Sequence, residues 1–405
     1  ISIHQSARLL SGATVLPLAL GGALALSRRP GRHVAALGAL AVGAVVATIA
    51  SPWFLDRYGH DPLLVAAAPS ALQRLERPAF QQFRLPFSAS ALRFSPSARA
   101  VAVTEDPESD EEEMSTFHVG TIGTPLAPLQ ADDVAFVDDE RVLVLINGRE
   151  DLEIRALAVA SPTEVLWRQR LPRLAGARLS FNVSDSTWRV LGWTRSREVV
   201  RLQAGLGAVA FDETRWARRS ADGGYISAVA ASADHAVLVE SRYDFGILPR
   251  PGLRFWAILP FTLPKTESRF WSLATGGAEQ AQASRFGAQC VPGGASDRLV
   301  CSVFDGTFTR VVTINPSGQI APAASFTGRF FCRQSAGDDW VTGWWESTPL
   351  ALRLSTGRSV QIAGQRGDWI ADIASDNRAA ATIGYEGTGS VVRIYSLTEK
   401  QKHKK

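Results

Sequence analysis

Phe94-Ser-Pro-Ser-Ala-Arg99-Ala-Val-Ala-Val103 decides the fold of this chain. An apolar residue ends one strand, a Ser/Pro turn reverses the chain, and a basic residue five positions on opens an apolar strand. Turn residues of this kind supply the tight reversal between antiparallel strands. The same grammar returns in Phe136-Val-Asp-Asp-Glu-Arg141-Val-Leu-Val-Leu145, Ala230-Ala-Ser-Ala-Asp-His235-Ala-Val-Leu-Val239 and Ile373-Ala-Ser-Asp-Asn-Arg378-Ala-Ala-Ala-Thr382. Recurrence roughly every 40–50 residues is the signature of a propeller blade, one small antiparallel sheet per repeat.

Working outward, residues 91–395 read as strand and turn almost without interruption, and no segment sustains helical periodicity. The expected fold class is therefore all-β, a seven-bladed β-propeller, with six or eight blades as the alternative counts. Units three and five fit the repeat least well. Unit one shows three strands; the fourth strand of unit three is expected at residues 209–212. The last two strands of unit four are expected at 253–259 and 269–273. The final unit also offers only three strands, at residues 369–373, 379–383 and 391–395. An orphan strand at 80–87, ahead of unit one, supplies the missing fourth and leaves no free sheet edge in the ring.

The N-terminal part has a different character. Residues 9–26 and 34–55 are runs of 18 and 22 residues without a charge, close to the roughly 20 needed to cross a bilayer as a helix. Between them lies Ser27-Arg-Arg-Pro-Gly-Arg-His33. The first run lacks a cleavage site ahead of its arginines and the second is too long and apolar for a core helix, which favours a transmembrane hairpin over a signal peptide. Arg28, Arg29 and Arg32 place the short loop in the cytoplasm by the positive-inside rule, so everything after Asp56 is expected outside it, in an extracytoplasmic (periplasmic) setting. Trp53 and Tyr58 sit where an interfacial aromatic belt would be. The expected organisation is two transmembrane helices in 1–55, a linker in 56–79 with a short helix near 70–76, the propeller in 80–398, and a disordered basic tail in 399–405. Ile1 is not an initiator, which raises the expectation of a processed chain or a piece of a longer one.

The turn Phe94-Ser-Pro-Ser-Ala-Arg99 resembles the F-S-P-D-G-R turn of TolB-like and WD-repeat-like propellers, and the other units echo it more weakly. Ser97 and Ala98 replace the usual Asp-Gly, and no recurring Gly-His…Trp-Asp pairs are present. The resemblance implies a fold over residues 80–398 and no activity.

Few residues suggest chemistry. Of six histidines only His118 and His235 lie within the ring, and His235 holds the turn position taken elsewhere by Arg99, Arg141 and Arg378. A Ser–His–Asp triad needs a His beside a nucleophile, and nothing recommends either. The run Glu105-Asp-Pro-Glu-Ser-Asp-Glu-Glu-Glu113 lacks the spacing and glycine of an EF-hand. Ten of the 11 Trp fall in 80–398, without the repeated Trp motif of quinone-dependent propellers; they read as wedge fillers between blades. No cofactor and no metal site is expected, and a net charge of +4 gives no basic face for nucleic acid. Cys290 and Cys301 flank a turn that would set them opposite each other, as a disulfide or as two buried small hydrophobes. Cys332 occupies the corresponding place one repeat later and reads as a buried free thiol.

What remains is recognition. The acidic run and the Pro-rich insertion Tyr243-Asp-Phe-Gly-Ile-Leu-Pro-Arg-Pro-Gly-Leu253 both join a second strand to a third, so they are expected on one face of the ring. The candidate partner-binding residues are Glu105, Asp106, Asp110, Glu111, Glu112, Tyr243, Phe245 and Leu248. The expected function is a membrane-anchored extracytoplasmic propeller that binds or assembles protein partners in or at the membrane, its lipid contact confined to residues 9–55. Two other readings stay open: the C-terminal part of a larger membrane protein, such as an ABC-type exporter permease with an appended propeller, and a propeller hydrolase.

Overall fold

The computed structural model describes residues 61–75, 78–106, 114–148, 150–217, 225–244, 265–284, 288–294, 297–337, 339–362 and 367–397. Its strands form seven sheets. In chain order from its innermost strand, blade 1 is Ala89–Phe94, Ala100–Glu105, Ser115–Thr121 and Ala127–Ala131; blade 2 is Asp133–Phe136, Arg141–Asn147, Asp151–Ala158 and Ser161–Pro172. Blade 3 is Ala175–Asn182, Thr187–Trp193, Val199–Gly205 and Asp212–Trp216; blade 4 is Tyr225–Ala231, His235–Asp244, Lys265–Ala274 and Glu279–Ser284. Blade 5 is Ala288–Pro292, Leu299–Phe304, Phe308–Ile314 and Ile320–Thr327; blade 6 is Phe330–Ala336, Trp340–Trp345, Thr348–Arg353 and Arg358–Ile362. Blade 7 has Trp369–Ile373, Ala379–Glu386 and Gly389–Ser396, and its outermost strand is Gln81–Leu85.

Why these residues form these sheets follows from what covers them. The second strand of a blade is packed on both faces by neighbouring blades, so it reads as an unbroken apolar run. Val142, Leu143, Val144 and Leu145 are all fully buried, as are Ala236, Val237, Leu238 and Val239. The core is divided into seven apolar clusters, one for each seam between adjacent blades. Leu92, Val101 and Val103 of blade 1 meet Ala381, Ile383 and Val392 of blade 7 in the cluster that shuts the ring. Trp344 packs against that cluster while Trp345 packs into the seam between blades 5 and 6, so the adjacent tryptophans point to opposite faces, as strand alternation demands.

The repeated turns behave as their sequence requires. In Ser95–Ala98 the amide of Ala98 donates to the carbonyl of Ser95 at 2.9 Å, and Ala98 stands at φ 55°, with Asn377 of the fourth repeat at φ 58°. Asn tolerates the left-handed region; Ala at this position, where Gly is usual, bears strain. In the third repeat the carbonyl of His235 accepts from the amide of Ser232 at 2.8 Å, a turn role for that histidine.

Ring closure occurs where the sequence indicates. Gln81–Leu85 pairs antiparallel with Gly389–Ser396, with Gln81 opposite Ile394 and Leu85 opposite Ser390. Several details differ from expectation. The stretch near 70–76 is no helix: Ala71–Leu75 is a strand, parallel to Arg358–Ile362, and makes a fifth strand of blade 6. Ala-Leu-Gln-Arg-Leu has good helix formers, but an open sheet edge overrides that weak preference. Blade 1 does have a fourth strand, Ala127–Ala131. The outer strand of blade 3 begins at Asp212, where 209–212 was expected, and the third strand of blade 4 is Lys265–Ala274, with Glu279–Ser284 outside it. Residues 253–259, the runs 9–26 and 34–55, and the tail lie outside the described residues. Among the described residues no helix is long and apolar enough to cross a membrane.

The segment before blade 1 forms a belt around the outside of blades 4 to 7. Leu63, fully buried, plugs the seam between blades 4 and 5. The amide of Ser325 donates to Ala68 and that of Ser70 to Ser325, at 2.8 and 2.9 Å, which ties the belt to blade 5. The Ser70 hydroxyl then donates to the carbonyl of Gly357 at 2.8 Å in blade 6. From there the chain pairs with blade 6, closes blade 7 and enters blade 1.

Candidate functional site

Antiparallel strand order gives the ring two unlike faces. Connections from second to third strands and from blade to blade emerge on one, here the loop face; first-to-second and third-to-fourth connections emerge on the other, the turn face. The acidic run leaves Glu105 and returns at Ser115, and the blade 4 insertion leaves Asp244 and returns at Lys265. Both therefore open onto the loop face, as the sequence implies.

The loop face also gathers the exposed aromatics. Tyr225 opens the first strand of blade 4, Phe308 the third strand of blade 5, Phe331 lies at the start of blade 6, and Tyr385 at the end of the second strand of blade 7. They are 51%, 39%, 42% and 56% exposed, and only Phe80, at the foot of the closing strand, joins them as an exposed aromatic among the described residues. Aromatic side chains bring large area at small entropic loss, and they dominate recognition surfaces. Val183 and Val209 are the exposed large apolar residues in the turn-face hairpins.

Where blades 6, 7 and 1 converge, this face is chemically specific. The guanidinium of Arg333 lies 4.9 Å over the ring of Trp369 and donates to the carbonyl of Ser90 at 2.7 Å. Burial draws the Arg333 pKa below the ordinary arginine value, against the opposing pull of Tyr385 and Asp106. Trp369 meets the Tyr385 ring at 5.2 Å, and its indole N–H, though buried, has no hydrogen-bond partner. A cation stacked on one aromatic beside an exposed phenol makes a mouth suited to binding.

Of the sequence candidates, Asp106 is exposed on this face, its amide held by the carbonyl of Ser88 at 2.7 Å. Glu105 is half-buried and engaged: its carboxylate lies 2.9 Å from Nε2 of His118, whose ring stacks on Phe87 at 3.8 Å. Tyr243 stands opposite Thr266 in blade 4. Asp110, Glu111, Glu112, Phe245 and Leu248 lie outside the described residues. Cys290 and Cys301 face each other across the first two strands of blade 5 and are joined by a disulfide, Cα to Cα 4.1 Å. Cys332 is a free thiol, fully buried, and burial pushes its pKa up to about 12. Among the described residues no group of three His, Cys, Asp or Glu could hold a metal ion.

Two inner carboxylates, unrecognised in the sequence, fasten blade to blade. Asp133 of blade 2 accepts the amide of Leu179 in blade 3 at 2.8 Å and that of its own neighbour Val134 at 3.0 Å. Asp372 of blade 7 accepts the amide of Phe94 in blade 1 and that of Ile373, both at 2.8 Å. Asp133 has Arg93 as a direct ion-pair partner at 2.8 Å. Asp372 has amides as its nearest donors, and burial raises its pKa to about 7, against the amides of Phe94 and Ile373 and the charge of Arg93.

No family model matches the sequence, and no curated protein matches it. Among solved structures the chain is similar to the β-propeller domain of Cps50 (Swd1) from Myceliophteria thermophila, at 12% identity and a TM-score of 0.48, over 79% of this chain and 99% of that one. It is similar to the β-propeller domain of the Trilobed protease from Pyrococcus furiosus, described as having an open velcro topology, at 11% identity and 0.45, over 78% and 98%. The Pyrococcus horikoshii acylaminoacyl peptidase matches at 12% identity and 0.44, over 78% of this chain and 52% of that one. At these identities the likeness concerns the fold alone. The seven-bladed architecture rests on the strand pairing described above.

Proposed function

We propose that this chain is a membrane-anchored propeller on the extracytoplasmic side, and that its loop face docks a protein partner in or at the membrane. The observation that carries the docking is the pair of exposed aromatics Phe331 and Tyr385 on one face, beside the Arg333–Trp369 pair. The runs 9–26 and 34–55 with their arginine-rich turn support the anchoring. In this reading Phe331 and Tyr385 are apolar anchors, and Asp106 with the acidic run after it steers a basic partner.

The test is cross-linking and co-purification of the full chain from its native membrane. Replacing Phe331 and Tyr385 together by Ala should lower partner recovery at least tenfold, which corresponds to about 1.4 kcal/mol, with thermal unfolding nearly unchanged because both residues are exposed. The same partners at the same yield would overturn the docking. A cysteine at Gly31 should react with membrane-impermeant reagents only after lysis; labelling in intact cells would overturn the orientation.

A further inference from the structure

The belt fixes where the ring meets its tether. The Asp61 carboxylate accepts the hydroxyl of Ser284 at 2.9 Å, and Ser284 is the last residue of the outer strand of blade 4, hence at the loop face. Leu63 then enters the seam between blades 4 and 5. The belt therefore starts at the loop face, on the rim of that seam. Only residues 56–60 separate it from the apolar run that ends at Leu55, and an extended chain covers at most about 20 Å over that distance.

From this we infer, resting on the anchoring proposed above, that the propeller lies tilted on the bilayer, with the loop-face rim of blades 4 and 5 lowered into the headgroup layer. The occupant of that part of the face is the lipid surface. Tyr225, exposed on blade 4, has the apolar ring and polar hydroxyl that favour the membrane interface, and Phe308, exposed on blade 5, adds an apolar ring suited to the acyl boundary. Blade 1 stands across the ring from that seam, three blades away on either side. Asp106 of blade 1 is thereby held far from lipid phosphates, and a wedge opens beneath blades 7 and 1, under Tyr385, Arg333 and Asp106. The partner-docking mouth is then the raised side of the same face.

The experiment uses the full chain in phosphatidylcholine–phosphatidylglycerol vesicles. Single cysteines at Tyr225, Phe308, Asp106 and Val183 take a fluorophore selectively, because Cys290 and Cys301 are bonded and Cys332 is buried. Nitroxide-headgroup lipid should quench Y225C and F308C several-fold more than D106C on the raised side and V183C on the turn face. Vesicle flotation is read in parallel. Flotation with equal quenching at all four positions, or with D106C quenched most, overturns the tilt and leaves the anchoring standing. Loss of flotation overturns the anchoring and the tilt with it.

Discussion

Replacing Asp372 by Asn should alter the pH dependence of stability more than stability itself. Asp372 is 7% exposed, and burial, opposed by the amides of Phe94 and Ile373 and by Arg93, raises its pKa from 3.8 to about 7. A carboxyl whose folded-state pKa is raised binds its proton more tightly when folded. Its contribution is fully present below about pH 4 and is lost as pH rises through 7. At roughly 1.4 kcal/mol per pH unit, the interval from 3.8 to about 7 amounts to about 4 kcal/mol. Asn is neutral throughout and lacks this dependence. It can accept only one of the two amides well, which costs about 1–3 kcal/mol at every pH. Urea unfolding of both proteins from pH 4 to 8 therefore has a defined outcome. D372N should be the less stable at pH 4, and the gap should close or reverse by pH 8. Asp138, Asp139, Glu153 and Asp339, whose pKa values are lowered, impose the opposite slope on both proteins and cancel in the difference. Parallel profiles would refute the reasoning and mean that Asp372 is ionised in the folded ring near pH 5.

Three further outcomes are expected. Deleting residues 78–88 removes the outer strand of blade 7 and exposes its edge, so the chain should aggregate and lose cooperative unfolding; a soluble ring of unchanged melting temperature would contradict the closure. Leu63→Ala should weaken the belt by about 2–5 kcal/mol, seen as faster hydrogen exchange at the amides of Ser70 and Ser325 with blade 1 unaffected; unchanged exchange would mean the plug does not hold the belt. Reducing Cys290–Cys301, which are 11 residues apart, should cost about 3 kcal/mol by loop-closure entropy, and identical urea midpoints with and without reductant would refute it.

The parts of the fold legible in the sequence are those fixed by local stereochemistry. The turn after Phe94 and its three echoes need particular residues within six positions, and the second strands betray themselves by runs such as Val142–Leu145. The closing strand was legible by counting, since a ring with one incomplete blade needs a partner from elsewhere. Outer strands were not. Asp-Glu-Thr-Arg-Trp216 is mostly exposed, so solvent leaves little apolar pattern to read. Ala71–Leu75 was hidden because its conformation is set by Arg358–Ile362, a partner remote in sequence. The site divides the same way. Both long connections could be assigned to one face from topology alone. The Arg333–Trp369–Tyr385 mouth draws on separate strands of two blades, and the Asp372 clasp spans 278 residues; neither leaves a local motif.

The closing strand has a consequence for the order of events at the ribosome. Gln81–Leu85 is made before blade 1, but its partner Gly389–Ser396 follows every other strand of the ring; the Ala89 amide and the Ser390 hydroxyl that seal this corner are 301 residues apart. At about 5–20 residues per second the early strand waits roughly 15–60 s for its mate. Through that interval it is a short segment with both strand edges unpaired. Alternating Gln81, Gln82 and Arg84 with Phe83 and Leu85 keeps it polar enough to wait, since charged and amide side chains discourage pairing with strangers. Folding of the ring is therefore gated by its last strand: each blade can form as it emerges, but the ring locks only when Gly389–Ser396 is free to pair.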